Sequence, residues 1–397
     1  MNNLIINNAH IVTPTEVIAN GSVLVENGKI VRISESSFNS SIYTQEVIEA
    51  DGKYLLPGII DLHTDAIENE ICPRPAADFP IHVAFRELEK RMCGNGITTV
   101  FHSMHLGSRE YEKDFRSKYS RMEVFEQVFN ACNHHTLINN KIHLRYEITG
   151  LDEYILCFEL VKRGFVSFFS FMDHTPTEEL LSGEKFEKFC QRKRMTKEQA
   201  ERDIKERMER PKISLKQIQE LASFLKKNNI AVASHDDRTV EAIDRNYSLG
   251  IEIAEFPITM QAARRAKELK MHSIGGAANV LRGGSNLGNL SVQEAVSEGI
   301  VDILCSDYYP PSILHSIFIL WRNKTLSLPQ AANLTSLNAA KAAGIDGFKG
   351  SIEPGKDADM LLVDASDEIP ILDKTIVGGN ISGEYSLKPI KMYEYYN

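Results

Sequence analysis

The chain has 397 residues, a formal net charge of −9 and an ordinary fraction of apolar residues, 43%. This length can hold one large α/β barrel with a smaller second domain, and the negative charge argues against nonspecific nucleic-acid binding. None of the six cysteines has C-x-x-C spacing, which argues against a zinc–thiolate site and favours reduced thiols. With no signal peptide and no apolar stretch long enough to span a bilayer, we expect a cytoplasmic protein without a membrane partner.

The two ends of the chain predict β-structure. Short apolar runs near the N-terminus have strand character, and Glu26-Asn27-Gly28-Lys29 has the residues of a hairpin turn between two of them. Towards the other end, Ser351–Val363 predicts a turn that leads into a buried strand. We therefore predict a small β-sandwich domain formed by residues 1–55 together with 346–397, flanking a barrel domain of residues 56–345.

The middle of the chain alternates short apolar runs with longer helical patterns, which is typical of an α/β fold with a parallel sheet. Eight candidate strands end near His63, His102, Glu147, Ser170, His235, Glu255, Gly275 and Asp307. Eight such strands predict a (β/α)8 TIM-like barrel. Ser214 and Gln217 form a capping box at the start of one helix. For the highly charged segment 178–210, a solvated helical excursion is favoured over a substrate lid.

The run PGIIDLHTD, residues 57–65, is the strongest chemical signal. Residues two apart on a strand point to the same side, so His63 and Asp65 can reach one ion. An imidazole and a carboxylate suit a divalent metal, although a surface pair after an ordinary strand is the alternative. Because chemistry in such barrels gathers at the C-terminal strand ends, the recurrence of ligand-type residues there favours the metal. The predicted ligands are His63, Asp65, Glu147, His174, His235 and Asp307.

A hydrolytic mechanism is expected from this set of residues. One or two divalent cations are predicted, zinc first with manganese or iron as alternatives, and they would lower the pKa of water and polarise the scissile group. Asp307, on the last strand, is the predicted catalytic base, and Glu147 could bridge two cations. Strand four has no lysine, so a carbamylated-lysine bridge is not expected there.

Several motifs occur in one order along the chain: HTDAIE with CPRP, GITTVFHS, LRYE, SFMDHTP, ASHDD, EFPIT, NVLRGGS, DILCSDYYP and SIEPGKDADMLLVD. From about Leu4 to Asp364 the chain resembles the amidohydrolase superfamily of metal-dependent hydrolases. In finer detail it is similar to the PhnM family of phosphonate catabolism, the alpha-D-ribose 1-methylphosphonate 5-triphosphate diphosphatases. The resemblance implies hydrolysis of that triphosphate to the 5-phosphate and pyrophosphate.

The resemblance also implies a small phosphorylated sugar as substrate. Arg74, Arg145 and Arg282 fall in or beside the motifs and are the predicted substrate-binding residues, because a guanidinium binds phosphate oxygens bidentately. The turn Arg282-Gly283-Gly284 could cradle a phosphate with its backbone amides, so the polyphosphate is expected on Arg282. An ordinary ion pair is the alternative for each arginine.

Three segments depart from the family pattern. They are Thr177-Glu178 in place of Gly-Gln, Gly276-Ala277-Ala278-Asn279 in place of Gly-Ala-Pro-Asn, and Ser285-Asn286-Leu287-Gly288-Asn289 in place of Ser-His-Ser-Gly-Asn. These changes spare the predicted ligands but touch expected substrate loops. An amide or cyclic-amide hydrolase or deaminase on the same scaffold is therefore the alternative enzyme. A metal-free binding protein is disfavoured because the ligand residues are present, and the sequence leaves assembly into a homo-oligomer open.

Overall fold

Two eight-stranded sheets contain all the strands of the described chain. The structure is a computed structural model that describes residues 3–38, 46–74, 77–107, 119–284 and 289–386. The strands are β1 (Leu4–Val12), β2 (Val17–Glu26), β3 (Lys29–Ser34), β4 (Glu46–Glu49), β5 (Tyr54–Pro57), β6 (Ile59–Thr64), β7 (Ile97–Leu106), β8 (Asn139–Glu147), β9 (Phe168–Met172), β10 (Ala231–His235), β11 (Ile253–Glu255), β12 (His272–Gly276), β13 (Ile303–Cys305), β14 (Met360–Asp364), β15 (Ile371–Val377) and β16 (Asn380–Glu384).

Helices connect most strands of the second sheet. They are α1 (Ala66–Ile71), α2 (Ile81–Cys93), α3 (Arg121–Cys132), α4 (Tyr154–Lys162), α5 (Gly183–Lys193), α6 (Lys197–Met208), α7 (Leu215–Lys227), α8 (Val240–Ser248), α9 (Met260–Glu268), α10 (Ala277–Arg282), α11 (Val292–Ser297), α12 (Ser312–Arg322), α13 (Leu328–Asn333) and α14 (Leu337–Ala342). In the described ranges, none of these helices combines the length and apolar content needed to cross a bilayer. All six cysteines are buried and unpaired.

The first sheet joins the two ends of the chain. Its strand order is β16-β15-β14-β5-β1-β2-β3, with β4 also paired to β1. The predicted hairpin connects β2 to β3, and Asn27 and Gly28 take the positive φ values, 53° and 76°, that a two-residue turn of this kind requires. Met360 of β14 lies opposite Pro57 of β5, so the C-terminal segment pairs directly with the N-terminal one. The shared β-structure of the termini is confirmed, while the domain boundaries at 55/56 and 345/346 stay predictions.

The second sheet is the predicted barrel. Its strands follow one another from β6 to β13, every neighbouring pair is parallel, and all eight candidate strands of the sequence are present. The lower interior is filled by buried apolar side chains, which are Ile60, Leu62, Phe101, Phe168, Ala233, Ile253, Ile274, Ile303 and Cys305. A packed interior of this kind leaves only the C-terminal ends of the strands for polar chemistry.

Backbone hydrogen bonds close the barrel between its first and last strands. The Asp307 N–H donates to the His63 carbonyl at 3.0 Å, and the Asp65 N–H donates to the Asp307 carbonyl at 3.0 Å. The Asp61 carboxylate accepts the Ser306 N–H, also at 3.0 Å. These contacts place the end of β6 and the end of β13 side by side.

The charged segment 178–210 forms helices, as expected. Helices α5 and α6 pack together around a small core of their own, made of Phe186, Phe189, Cys190, Ala200 and Ile204. Downstream, Ser214 caps α7 through a complete capping box with Gln217, as the sequence predicted. The α5–α6 pair is therefore a structured excursion between β9 and α7.

A buried histidine beneath α2 predicts sensitivity of the fold to acid. His102 of β7 is fully buried, its Nε2 lies 2.9 Å from Asn140 Oδ1, and burial lowers its pKa to about 4. The unfolded chain, with a histidine pKa near 6.5, binds this proton more readily, so stability falls as the pH drops from about 6.5 towards 4.

The unfolding free energy of the parent protein should fall between pH 7 and pH 5. We expect this fall to be about 2 kcal/mol smaller in His102→Gln. Urea unfolding at the two pH values measures this difference. The glutamine does not titrate, so its contribution is constant over this range. Equal losses in the two proteins would contradict this account of His102.

Candidate metal centre

A histidine–carboxylate cluster lies at the C-terminal ends of the barrel strands. Its first donor set is His63, Asp65 and Asp307, whose ligand atoms all lie within 4.8 Å of one another. His63 Nε2 is 3.5 Å from Asp65 Oδ1, which shows that the two side chains turn to the same side as expected from their spacing. The backbone contacts that close the barrel bring Asp307 to them.

A second donor set lies beside the first. It consists of His174, His235 and Asp236, with ligand atoms again within 4.8 Å of one another. Glu147 is not in either set. It lies behind His174, with its Oε2 2.7 Å from His174 Nδ1. Its Cβ packs so closely against Gly107 that a Cβ added to this glycine would stand 2.6 Å away. In this structure Glu147 contacts His174 and lies outside both sets, and its role as a bridging ligand stays a prediction.

Two residues of the cluster are absent from the predicted ligands: Asp236 of the second donor set, and Glu255 at the end of β11. Glu255 is completely buried, with Oε1 2.8 Å from His63 Nδ1, and Ser170 Oγ donates to Oε2 at 2.8 Å. A carboxylate on Nδ1 holds the proton there and turns the Nε2 lone pair towards Asp65 and Asp307. The sequence could have indicated Glu255, because this residue ends one of the eight predicted strands, as the predicted ligand His235 does.

Arg145 occupies the middle of the cluster. Its guanidinium donates to Asp65 Oδ1 at 2.6 Å, and a second nitrogen lies 3.1 Å from His235 Nε2. Since a guanidinium only donates, His235 accepts through Nε2. The sequence predicted Arg145 as a substrate ligand, but the structure places it between two predicted metal ligands, where it neutralises carboxylate charge.

The electrostatics of the cluster favour positive charge. Burial lowers the pKa of His63, but the charge of Glu255 and the hydrogen bonds to Asp65 and Glu255 together outweigh this effect, and the pKa rises to about 10. The carboxylates that stabilise protonated His63 would also attract a metal cation at Nε2, the nitrogen that faces Asp65. Imidazole and carboxylate donors suit zinc, manganese or iron, so the residues fit a divalent metal.

Three residues at the strand ends adopt left-handed backbone conformations. Asp236, Phe256 and Asp307 have φ values of 61°, 54° and 57°, and they follow β10, β11 and β13 almost directly. Such conformations are uncommon for residues other than glycine, cost of order 1–3 kcal/mol each, and concentrate at functional sites. The turns aim Asp236 and Asp307 into the cluster.

A cavity of about 350 Å³ opens above the cluster. The lining includes Arg145, Arg282 and Asp307, together with Ala278 of α10. Arg282 reaches Tyr308, with 3.5 Å between the guanidinium nitrogen and the phenol oxygen. Burial raises the pKa of Asp307 to about 6, which suits a group that exchanges protons near neutral pH.

Not every predicted substrate residue reaches this cavity. Arg74 is exposed and pairs through its backbone with Ala77, away from the cavity lining. The substituted loop at 285–288 lies outside the described residues, whereas Gly284 and Asn289 on either side of it line the cavity. The roles of the three arginines remain predictions.

Comparison with known proteins agrees with this architecture. The amidohydrolase family model matches residues 54–384. The chain belongs to the amidohydrolase family. It is also 34% identical to the alpha-D-ribose 1-methylphosphonate 5-triphosphate diphosphatase of Escherichia coli strain K12, over 92% of this chain and 96% of that protein. This similarity confirms the PhnM family that the motifs indicated.

More distant relatives share the scaffold of this amidohydrolase. The imidazolonepropionase of Thermoplasma volcanium is 21% identical, covering 89% of this chain and 87% of that one. The L-hydantoinase of Arthrobacter aurescens superposes with a TM-score of 0.64 at 16% identity over 98% of each chain. The dihydropyrimidinase of Brevibacillus agri gives 0.66 at 14% identity, over 96% of this chain and 94% of that one. At these identities the two solved structures establish the fold alone.

The contact between Glu255 and His63 yields a prediction for this amidohydrolase. Glu255→Gln weakens the hold on the His63 tautomer, and loss of such an outer partner typically lowers metal affinity about 10–100-fold. Competition with a chromophoric chelator measures the affinity. Glu252→Gln, at an exposed glutamate that pairs with Lys226, is the matched control. Unchanged affinity in the Glu255 variant would remove this role.

Proposed function

We propose that this amidohydrolase is a metal-dependent diphosphatase of phosphonate catabolism. It cleaves alpha-D-ribose 1-methylphosphonate 5-triphosphate to the 5-phosphate and pyrophosphate. The observation that carries the proposal is a cavity lined by the whole first donor set, by His235 and Asp236 of the second, and by Arg282 at its wall. A phosphorylated sugar of this kind needs both features, cations at the reacting phosphoanhydride and a guanidinium for an anionic oxygen group of the substrate. The similarity to the Escherichia coli diphosphatase supports this choice of substrate.

We assign separate roles in cation binding and proton transfer to the residues of the cluster. His63, Asp65 and Asp307 would hold one divalent cation, and His174 and His235 with Asp236 would hold a second. Bound cations would neutralise phosphoryl oxygens and acidify water. Asp307 is the proposed base, since its carboxylate faces the cavity and accepts the proton of the attacking water.

The remaining parts of the proposal concern the ion and the setting. Zinc is the proposed metal, because both donor sets combine imidazole nitrogen with carboxylate oxygen, and manganese or iron would accept the same donors. The substrate is a small phosphorylated sugar, and the enzyme works in the cytoplasm. Arg282 is the proposed substrate ligand at the cavity wall, and a homo-oligomer stays a prediction.

Product analysis tests the reaction. Metal-loaded enzyme is incubated with the ribose methylphosphonate triphosphate, and the products are resolved by phosphorus NMR. We expect pyrophosphate and the sugar 5-phosphate, and no ring opening of hydantoin or dihydropyrimidine substrates. Release of orthophosphate alone, or opening of a cyclic amide without attack on the triphosphate, would replace this function with the alternative on the same scaffold.

Removing the proposed base should stop turnover. Asp307→Asn cannot accept a proton, so we expect kcat to fall roughly 10²–10⁴-fold. Pyrophosphate release and bound metal are measured on the same preparation. Asp244→Asn, at a carboxylate that pairs with Arg265 on the helical shell, is the control and should keep full activity. Near-normal turnover of a metal-loaded Asp307 variant would transfer the base role to another group.

Removing the arginine at the cavity wall should weaken productive binding. A charge-assisted hydrogen bond contributes roughly 1.5–3 kcal/mol, so we expect Arg282→Ala to lower kcat/KM for the triphosphate about ten-fold or more. Arg163→Ala is the control, because this exposed arginine lies at the end of α4, at the opposite end of the barrel. If both variants match the parent enzyme, Arg282 does not contact the substrate.

A further inference from the structure

A second cavity, of about 760 Å³, adjoins the metal centre, and Arg282 is not among its lining residues. It shares His235, Asp236 and Ile258 with the first cavity, so the second donor set stands at the border between the two. Four cationic side chains line it, and we call it the basic cavity: Arg207, Lys212, Arg238 and Arg245.

Separate elements supply these cations. Arg207 comes from the last turn of α6, so the charged excursion that the sequence placed in solvent also contributes to a cavity at the strand ends. Arg207 and Arg210 additionally line a narrow pocket with Glu147 and His174. Lys212 precedes α7, while Arg238 and Arg245 lie after β10 and in α8. Two stretches of the chain, 207–212 and 238–245, thus converge beside the second donor set.

Four carboxylates also line the basic cavity, namely Asp173, Glu179, Asp236 and Asp237. Asp173 pairs with Lys212 at 2.7 Å and neutralises that lysine, whereas buried Asp237 accepts hydrogen bonds from Ser234 and Asn246. Asp236 belongs to the second donor set, and Glu179 is exposed at the rim. Arg238 and Arg245 are also exposed, which leaves their guanidinium groups accessible to an anion from solution.

We infer that the basic cavity binds the pyrophosphoryl group that leaves, and that Arg282 in the first cavity contacts the phosphonate end of the sugar. This inference rests on the proposed function, whose substrate has anionic groups at both ends. The pyrophosphoryl end carries more negative charge than a phosphonate monoester. The basic cavity has two exposed arginines, Arg238 and Arg245, whereas the described lining of the first cavity has one, Arg282. The scissile bond then crosses the border where the two donor sets lie.

This assignment reverses one expectation from the sequence. The turn at Arg282-Gly283-Gly284 predicts that the polyphosphate lies on Arg282, but no local pattern predicts that Arg207, Arg238 and Arg245 meet in one cavity. Both arrangements make Arg282 a substrate ligand. They differ in which end of the substrate Arg282 contacts, and binding measurements can distinguish the two.

Binding of inorganic pyrophosphate to metal-loaded enzyme tests the assignment. We expect Arg238→Gln and Arg245→Gln each to raise the Kd for pyrophosphate, measured by calorimetry, about ten-fold, as loss of a charge-assisted hydrogen bond implies. Arg282→Ala should leave this Kd unchanged, and so should the control Arg163→Gln. A Kd that rises for the Arg282 variant and stays constant for the other two would overturn the inference.

A second substrate gives an independent readout. Ribose 5-triphosphate lacks the phosphonate, so the kcat/KM penalty of Arg282→Ala should disappear with it, while the penalties of the Arg238 and Arg245 variants should persist. A penalty of Arg282→Ala that is equal on both triphosphates would contradict the assignment. If the parent enzyme releases no pyrophosphate from either compound, the proposed function fails, and the calorimetric comparison still decides whether the basic cavity binds pyrophosphate.

Discussion

The whole site depends on the backbone contact that closes the barrel. Hydrogen bonds between Asp307 and the His63–Asp65 segment join the last strand to the first. They bring side chains from distant parts of the chain within the reach of one ion, which no local pattern could do alone. Because the contact uses main-chain atoms, the geometry of the first donor set is built into the barrel and does not depend on flexible loops.

Charge balance is the second constraint. Several carboxylates converge in a mostly buried region, and they would repel one another without cations. In the structure Arg145 supplies part of the balance through Asp65, and the raised pKa of His63 shows the same demand for positive charge. A cation on the first donor set would compete with Arg145 for Asp65, and a cation on the second would compete with it for His235, so loading of the centre would require this guanidinium to move.

Much of this could be read from the sequence, because much of it is local. The alternation of strands and helices predicts the barrel. Ligand-type residues at predicted strand ends predict the side chains that meet there, which are His63, Asp65, Glu147, His174, His235 and Asp307. Glu255 ends a predicted strand too, but its role appears only when the barrel places it beside His63. Arg145 is predicted as a substrate ligand, and its contact with Asp65 likewise appears only in the assembled barrel. Likewise Arg207 belongs to a segment whose composition suggested solvent, and its position depends on how α6 packs.

The central claim is that barrel closure assembles a metal centre at the strand ends. Anomalous X-ray diffraction from crystals of the metal-loaded protein, collected at the absorption edge of the metal, tests it directly. We predict a peak about 2.0–2.2 Å from the donor atoms of His63, Asp65 and Asp307, with Arg145 withdrawn from Asp65. Absence of any peak at the two donor sets, in protein shown to contain stoichiometric metal, would contradict the account.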